Sequence, residues 1–229
     1  MWFPVQPLGP KIQRAWLALV LLWLAGWASS QSQLLVFSDH LFHWVEQHYG
    51  VAARQRVEHL QQLIELHQHD PEIDKVTAVN RFFNRVRYDE DNSLWDQKDY
   101  WATPFEVLGL NAADCEDYAL SKYFTLVSMG VPEEKLRVTY VKSIKLRQAH
   151  MVLAYYSSPA AEPVILDNLV AKIEPASRRT DLVPVYSFNG ADLWLTVNLA
   201  EGKKVGASAR IKLWQDFQKK LMQQMGEGS

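Results

Sequence analysis

The chain has 229 residues, 48% of them hydrophobic, and a formal net charge of -2. That is enough apolar material for one domain with a real core. The near-neutral balance excludes the basic excess that nucleic-acid binders carry, so no nucleic acid is expected as a partner.

Lys11 and Arg14 precede the apolar run Ala15 to Trp27, and Ala28-Ser29-Ser30 supplies small residues suited to cleavage. This is the layout of a secretory signal peptide. The run is shorter than the about 20 residues that a membrane span needs. The expected division is a signal peptide over 1–30 and a single exported domain over 31–229. Cys115 is the only cysteine. An oxidising compartment favours paired cysteines, so an odd one there is an intermolecular partner or a free reactive thiol.

Periodicity predicts a helix over Leu34 to Tyr49, with Phe37, Leu41, Trp44 and Val45 on one face. Gly50 interrupts it, and Val51 to His67 continues through Val57, Leu60, Leu63 and Ile64. Asp70-Pro71 reads as an N-cap followed by proline in the first turn. It opens a third helix, Glu72 to Val86, with Ile73, Val76, Val79, Asn80 and Phe83 facing inward. His40, His43, His48, His59, His67 and His69 read as solvated positions, because no cysteine or ordered carboxylate spacing makes a metal site of them. Residues 87–101 are polar, aromatic and acidic and read as an irregular loop. They lack the spacings of an EF-hand. A short helical turn from Pro104 to Leu108 is closed by Gly109.

Cys115 to Met129 reads as a helix, with Asp114 as N-cap, Gly130 as stop and Pro132 beyond. A thiol in the first turn of a helix sits at the positive end of the macrodipole, which favours the thiolate. The period then shortens. Strands are predicted over Leu136 to Ile144, Gln148 to Tyr156 and Glu162 to Leu169. Leu182 to Phe188 and Ala191 to Val197 flank Asn189-Gly190, a hairpin signal. The tail, Ser208 to Met225, is an amphipathic helix. Its inner face carries Ile211, Trp214, Phe217 and Leu221, and its outer face Lys212, Lys219 and Lys220. Helices followed by an antiparallel sheet make the fold class α+β.

A cysteine nucleophile needs a base, and the base an orienting group. His150 is the only histidine after residue 69 and lies mid-strand in an apolar setting. Asp167 follows Val164-Ile-Leu166, and a carboxylate on a buried strand needs a partner. Adjacent antiparallel strands can bring His150 and Asp167 together, and a helix packed on them can present Cys115.

Asp99-Tyr-Trp-Ala-Thr-Pro104, Asp114-Cys-Glu-Asp-Tyr118, Lys122-Tyr-Phe-Thr-Leu126, Ala149-His-Met-Val152 and Leu166-Asp-Asn168 carry a resemblance. Together they resemble the bacterial transglutaminase-like cysteine proteinases, over about residues 40 to 200. The resemblance implies a papain-like, transglutaminase-like cysteine protease of the periplasm. Cys115 would be the nucleophile, His150 the base and acid, and Asp167 the orienting carboxylate. It implies cleavage of a large surface adhesin near its N-terminus, at a paired-alanine site, which releases biofilm cells. It implies dependence on calcium and sequestration by an inner-membrane receptor for cyclic di-GMP. Asp114 and Glu116 would be calcium ligands, with Asp117 as a third and Asp96 or Asp99 from the preceding loop. Ala113 stands where the family usually has glycine.

A physical argument for the cation stands beside this. Carboxylates at 114, 116 and 117 crowd the thiol and raise its pKa, and a divalent cation would neutralise them. Other readings stay open on the sequence: a protein-crosslinking transglutaminase, a cell-wall amidase, or a non-catalytic exported binding module.

Overall fold

The computed structural model describes residues 36–226. The signal-peptide reading lies outside the described residues. Helix α1 (Asp39–Tyr49) is capped by Ser38, whose side chain accepts from Leu41 N at 3.2 Å. Gly50 ends α1 and starts α2 (Val51–His67) with φ 85°, a conformation open to glycine. Helix α3 runs Glu72–Phe83 with Pro71, not Asp70, at the N-cap position. Asp70 instead meets His67 Nδ1 at 2.7 Å. Ile73 is 48% exposed and does not face inward as its spacing suggested.

The segment read as a loop holds two short elements, β1 (Arg87–Tyr88) and α4 (Asp91–Trp95). Helix α5 (Pro104–Leu110) begins with a capping box between Thr103 and Glu106, worth about 1 kcal/mol. It runs past Gly109 and ends at Asn111, which takes the left-handed conformation with φ 51°. Gly109 serves close packing: a Cβ there would lie 2.7 Å from the Tyr49 ring. Strand β2 (Ala112–Ala113) pairs in parallel with β1, Arg87 opposite Ala112 and Tyr88 opposite Ala113. Helix α6 (Cys115–Ser128) follows at once.

The sheet is formed by β3 (Leu136–Ser143), β4 (Gln148–Tyr155), β5 (Val164–Leu166), β6 (Glu174–Pro175), β7 (Leu182–Phe188), β8 (Asp192–Thr196) and β9 (Gly202–Ala207), in the order β6-β5-β4-β3-β7-β8-β9. Every pairing in it is antiparallel. Strand β9 carried no sequence signal, because Gly202, Lys203, Lys204 and Gly206 interrupt any alternation. The β7–β8 hairpin forms as expected, but Gly190 does not use the left-handed region. Asn189 Oδ1 accepts from the amides of Ala191 and Asp192 at 3.1 and 2.9 Å, and a Cβ on Gly190 would strike the Glu133 carboxylate.

Helix α6 packs on β3 and β4, with α3 and α5 against its other flanks. Leu120, Leu126, Val138, Leu153 and Phe188 are fully buried in this main core. Each such side chain contributes about 1.5–3 kcal/mol by leaving water. Helix α7 (Lys212–Met225) adds an aromatic stack, Trp214 against Phe217, Phe188 and Tyr123. Lys220 does not lie on an open basic face. Its Nζ donates to Trp101 O at 2.8 Å and sits 3.5 Å over the Tyr100 ring. Among the described residues, no helix is long and apolar enough to cross a membrane.

Candidate active site

The thiol is placed by the order β2, Asp114, α6. Cys115 is the first residue of α6 and is partly exposed. Its Sγ–H donates to Glu116 Oε2 at 3.0 Å. The amide of Met151, the residue after His150, faces the sulfur and favours the thiolate. Burial, followed by the Glu116 and Asp114 carboxylates, pushes the thiol well above its ordinary pKa. Burial and acidic crowding thus act together, the crowding in the direction the sequence argument gave.

His150 lies on β4 opposite Val141, and Asp167 follows directly on β5. Both are buried, at 2% and 1% exposure. His150 Nε2 stands 2.9 Å from Asp167 Oδ1, which also accepts from Leu169 N at 2.9 Å. The structure thus brings His150 and Asp167 into direct contact, while the hydrogen bond of the Cys115 thiol goes to Glu116. Asp167 Oδ2 accepts from Arg179 Nη2 at 2.7 Å, and the Asp167 carbonyl from Asn84 Nδ2 at 2.8 Å. Burial would raise the Asp167 pKa. Its bonds to His150, Leu169 and Arg179 outweigh burial and hold it at about 2. Arg179 was not foreseen: it lies in the turn between β6 and β7, in no motif.

The acidic neighbours of Cys115 gather with a residue the sequence reading missed. The β1–β2 pairing lays residues 87–88 along 112–113 and delivers Asp91 to Asp114. Oxygens of Asp91, Asp114 and Asp117 all lie within 4.8 Å of one another, as do those of Asp91, Asp99 and Glu116. Asp96 belongs to neither group; it is exposed and caps the end of α4 in the left-handed conformation. Backbone amides of the 100–102 segment hold one oxygen each of Asp91 and Asp117: Tyr100 N donates to Asp91 Oδ2 at 2.5 Å, and Ala102 N to Asp117 Oδ1 at 2.7 Å. Asp91 Oδ1, Asp114 Oδ1 and Asp117 Oδ2 are buried and have no hydrogen-bond partner. Asp114 makes no capping bond either.

Burial and mutual repulsion push Asp91 to about 6, Asp114 to about 10 and Asp117 well above the carboxylate range. Buried carboxylates that gather within 4.8 Å and keep partnerless oxygens offer the oxygen chemistry that a hard cation such as calcium takes.

A family model described as bacterial transglutaminase-like cysteine proteinase matches residues 39–201. The chain belongs to this family. This proteinase is similar to LapG of Legionella pneumophila, with 39% identity over 82% of this chain and 99% of that one, at a TM-score of 0.71. An EGTA-treated LapG from the same organism matches at 39% identity and TM-score 0.71, over 82% of this chain and 100% of that one. The calcium-bound form matches at 40% and 0.69, over 79% of this chain and 97% of that one. A search of curated proteins gives no match. The proteinase therefore has the transglutaminase-like cysteine protease fold, helices first and then an antiparallel sheet, as the sequence led one to expect.

Proposed function

We propose that this proteinase is a calcium-dependent periplasmic endopeptidase in which Cys115 is the nucleophile, His150 the general base and acid, and Asp167 the orienting carboxylate. The buried His150–Asp167 hydrogen bond, set beside a thiol at a helix start, carries this reading. His150 Nδ1 takes the thiol proton, and the Cys115 sulfur attacks the peptide carbonyl carbon. Backbone N–H groups at the start of α6 stabilise the oxyanion. The imidazolium gives its proton to the leaving amine as the C–N bond breaks. Water, deprotonated by His150, then hydrolyses the thioester and restores the thiol. Asp167 stabilises the imidazolium and fixes its ring.

Asp91, Asp114 and Asp117, with Glu116 and Asp99 beside them, would hold calcium. Bound there, calcium supplies the positive charge that lets these carboxylates ionise next to the thiol. The structures of LapG with calcium and after EGTA treatment support calcium as the ion.

The substrate in this reading is the N-terminal region of a large surface adhesin, cut at a paired-alanine site so that biofilm cells are released. An inner-membrane cyclic di-GMP receptor restrains the enzyme by sequestering it. Substrate and receptor are what the family resemblance of the sequence motifs implies, and the Lys11 to Ser30 pattern supports export.

The test is incubation with adhesin N-terminal fragments, in calcium or in chelator, read by fragment mass. A cut between paired alanines, lost in chelator and in Cys115→Ala, is the expected result. Cleavage retained by Cys115→Ala would overturn the nucleophile. Incorporation of an amine donor in place of hydrolysis would overturn the endopeptidase in favour of a crosslinking enzyme.

A further inference from the structure

Asp167 is gripped on both oxygens. Oδ1 takes His150 Nε2 and Leu169 N, each at 2.9 Å, while Oδ2 takes Arg179 Nη2 at 2.7 Å. Arg179 is clamped in turn by Asp181, Nε to Oδ1 at 2.9 Å and Nη2 to Oδ2 at 2.8 Å. Its backbone is also fixed: Arg179 N donates to Ala176 O at 3.0 Å, and Leu182 N to Arg179 O at 3.1 Å. The guanidinium is 4% exposed, and its Nη1 has no hydrogen-bond partner. A buried guanidinium with an idle nitrogen is a poor device for stability, since apolar packing of equal volume does as well or better. Its placement needs another reason.

We propose that Arg179 is a positioning residue of the reaction, which holds Asp167 as an anion aimed at His150 when the imidazole is neutral. The inference rests on the triad reading above. His150 carries a proton for only part of the cycle, between taking it from the thiol and giving it to the leaving amine. Outside that interval, the one full positive charge hydrogen-bonded to Asp167 is Arg179. Every element around the carboxylate is accounted for among the described residues. Strand β4 gives His150, and the turn after β6 gives Arg179, with Asp181 behind it. Helix α6 gives Lys122, which acts on Asp167 through space without a hydrogen bond. Helix α3 gives only the neutral Asn84 amide, on the carbonyl. Without Arg179, a buried carboxylate beside neutral imidazole would be driven to take up a proton. It would also be free to rotate away from Nε2. The pairing further draws carboxylate charge toward Oδ2, so Asp167 orients the ring without removing its proton.

The experiment uses the calcium-loaded chain and a fluorogenic paired-alanine peptide cut by the parent. It compares Arg179→Met, Arg179→Lys, Asp181→Asn and Asp167→Asn. Arg179→Met is expected to lose about 10- to 100-fold in kcat with KM nearly unchanged. The acid limb of its kcat/KM profile should move to higher pH, and the downfield N–H proton resonance of His150 should shift or broaden. Arg179→Lys restores part of kcat, and Asp181→Asn falls between parent and Arg179→Met. Parental kcat, acid limb and His150 resonance in folded Arg179→Met overturn the proposal. If Arg179→Met does not fold, parental values in both Arg179→Lys and Asp181→Asn overturn it. Parental turnover in Asp167→Asn removes the triad reading and this proposal with it. Lost turnover there, beside a parental Arg179→Met, removes this proposal alone.

Discussion

Asp167 Oδ1 receives His150 Nε2 at 2.9 Å inside a pocket closed to solvent. The carboxyl is held near 2, below its ordinary value of 3.8. A depressed carboxylate adds stability above its unfolded pKa and loses it as pH falls through the folded one. The window is therefore pH 4 down to pH 2, and the amount about 2 kcal/mol. Denaturant unfolding of parent and Asp167→Asn at several acid pH values checks it. Their difference in unfolding free energy should shrink across that window. Equal pH slopes would count against the bond.

Cys115 is partly exposed at a helix start, where it packs against the edge of the main core. Cys115→Ala removes a single heavy atom and leaves the helix start intact, so Tm should stay within a few degrees of the parent. It should remove cleavage altogether. Circular dichroism melts and fragment mass check the two halves separately.

Asp91, Asp114 and Asp117 give the opposite pH sign. Their pKa values are raised, so each favours the fold below about pH 4 and opposes it once ionised. In chelator, stability should fall from pH 4 through about 6, where Asp91 ionises, and on toward about 10 for Asp114. Calcium should cancel that slope, so its effect on Tm is larger at pH 8 than at pH 5. At one hundred times Kd the gain is about 2.7 kcal/mol. Asp91→Asn should weaken calcium binding about tenfold or more, measured by titration calorimetry. Unchanged affinity would remove Asp91 from the ligand set.

Lys122 is fully buried on α6, and its ammonium has no hydrogen-bond partner. Burial lowers its pKa to about 7. The unfolded chain holds that proton up to about pH 10, so folding below this pH must release it or bury the charge. Lys122→Met should raise stability at pH 7 by about 1–4 kcal/mol. The gain should fade as pH rises from 7 toward 10. Thermal melts across that range test the sign; a lower Tm for Lys122→Met at pH 7 would refute it.

The parts of the site that lie on regular elements were legible in the sequence. His150 stood out as a lone histidine on an apolar strand, and Asp167 as a charge ending the next one. The loop was not legible, because loops have no period to read. Asp96 and Asp91 are equally acidic in the sequence. Only the two-residue parallel pairing of β1 with β2 decides that Asp91 meets Asp114. Lys220 misled in a similar way. Helical spacing put it on the outer face, but the groups that hold it, Tyr100, Trp101 and Glu106, come from far earlier in the chain. Asn189-Gly190 was right as a hairpin for a partly different reason, since the glycine admits the Glu133 carboxylate and supplies no left-handed turn.

The bonds from α7 to the 101–103 segment also tie the far end of the described chain to the surroundings of Cys115. Thr103 Oγ1 meets Gln224 Oε1 across 121 residues, and Lys220 meets Trp101 O across 119. That segment in turn holds Asp117 through the Ala102 amide. Undocking α7 would thus loosen the hold on Asp117 without touching the acidic cluster itself.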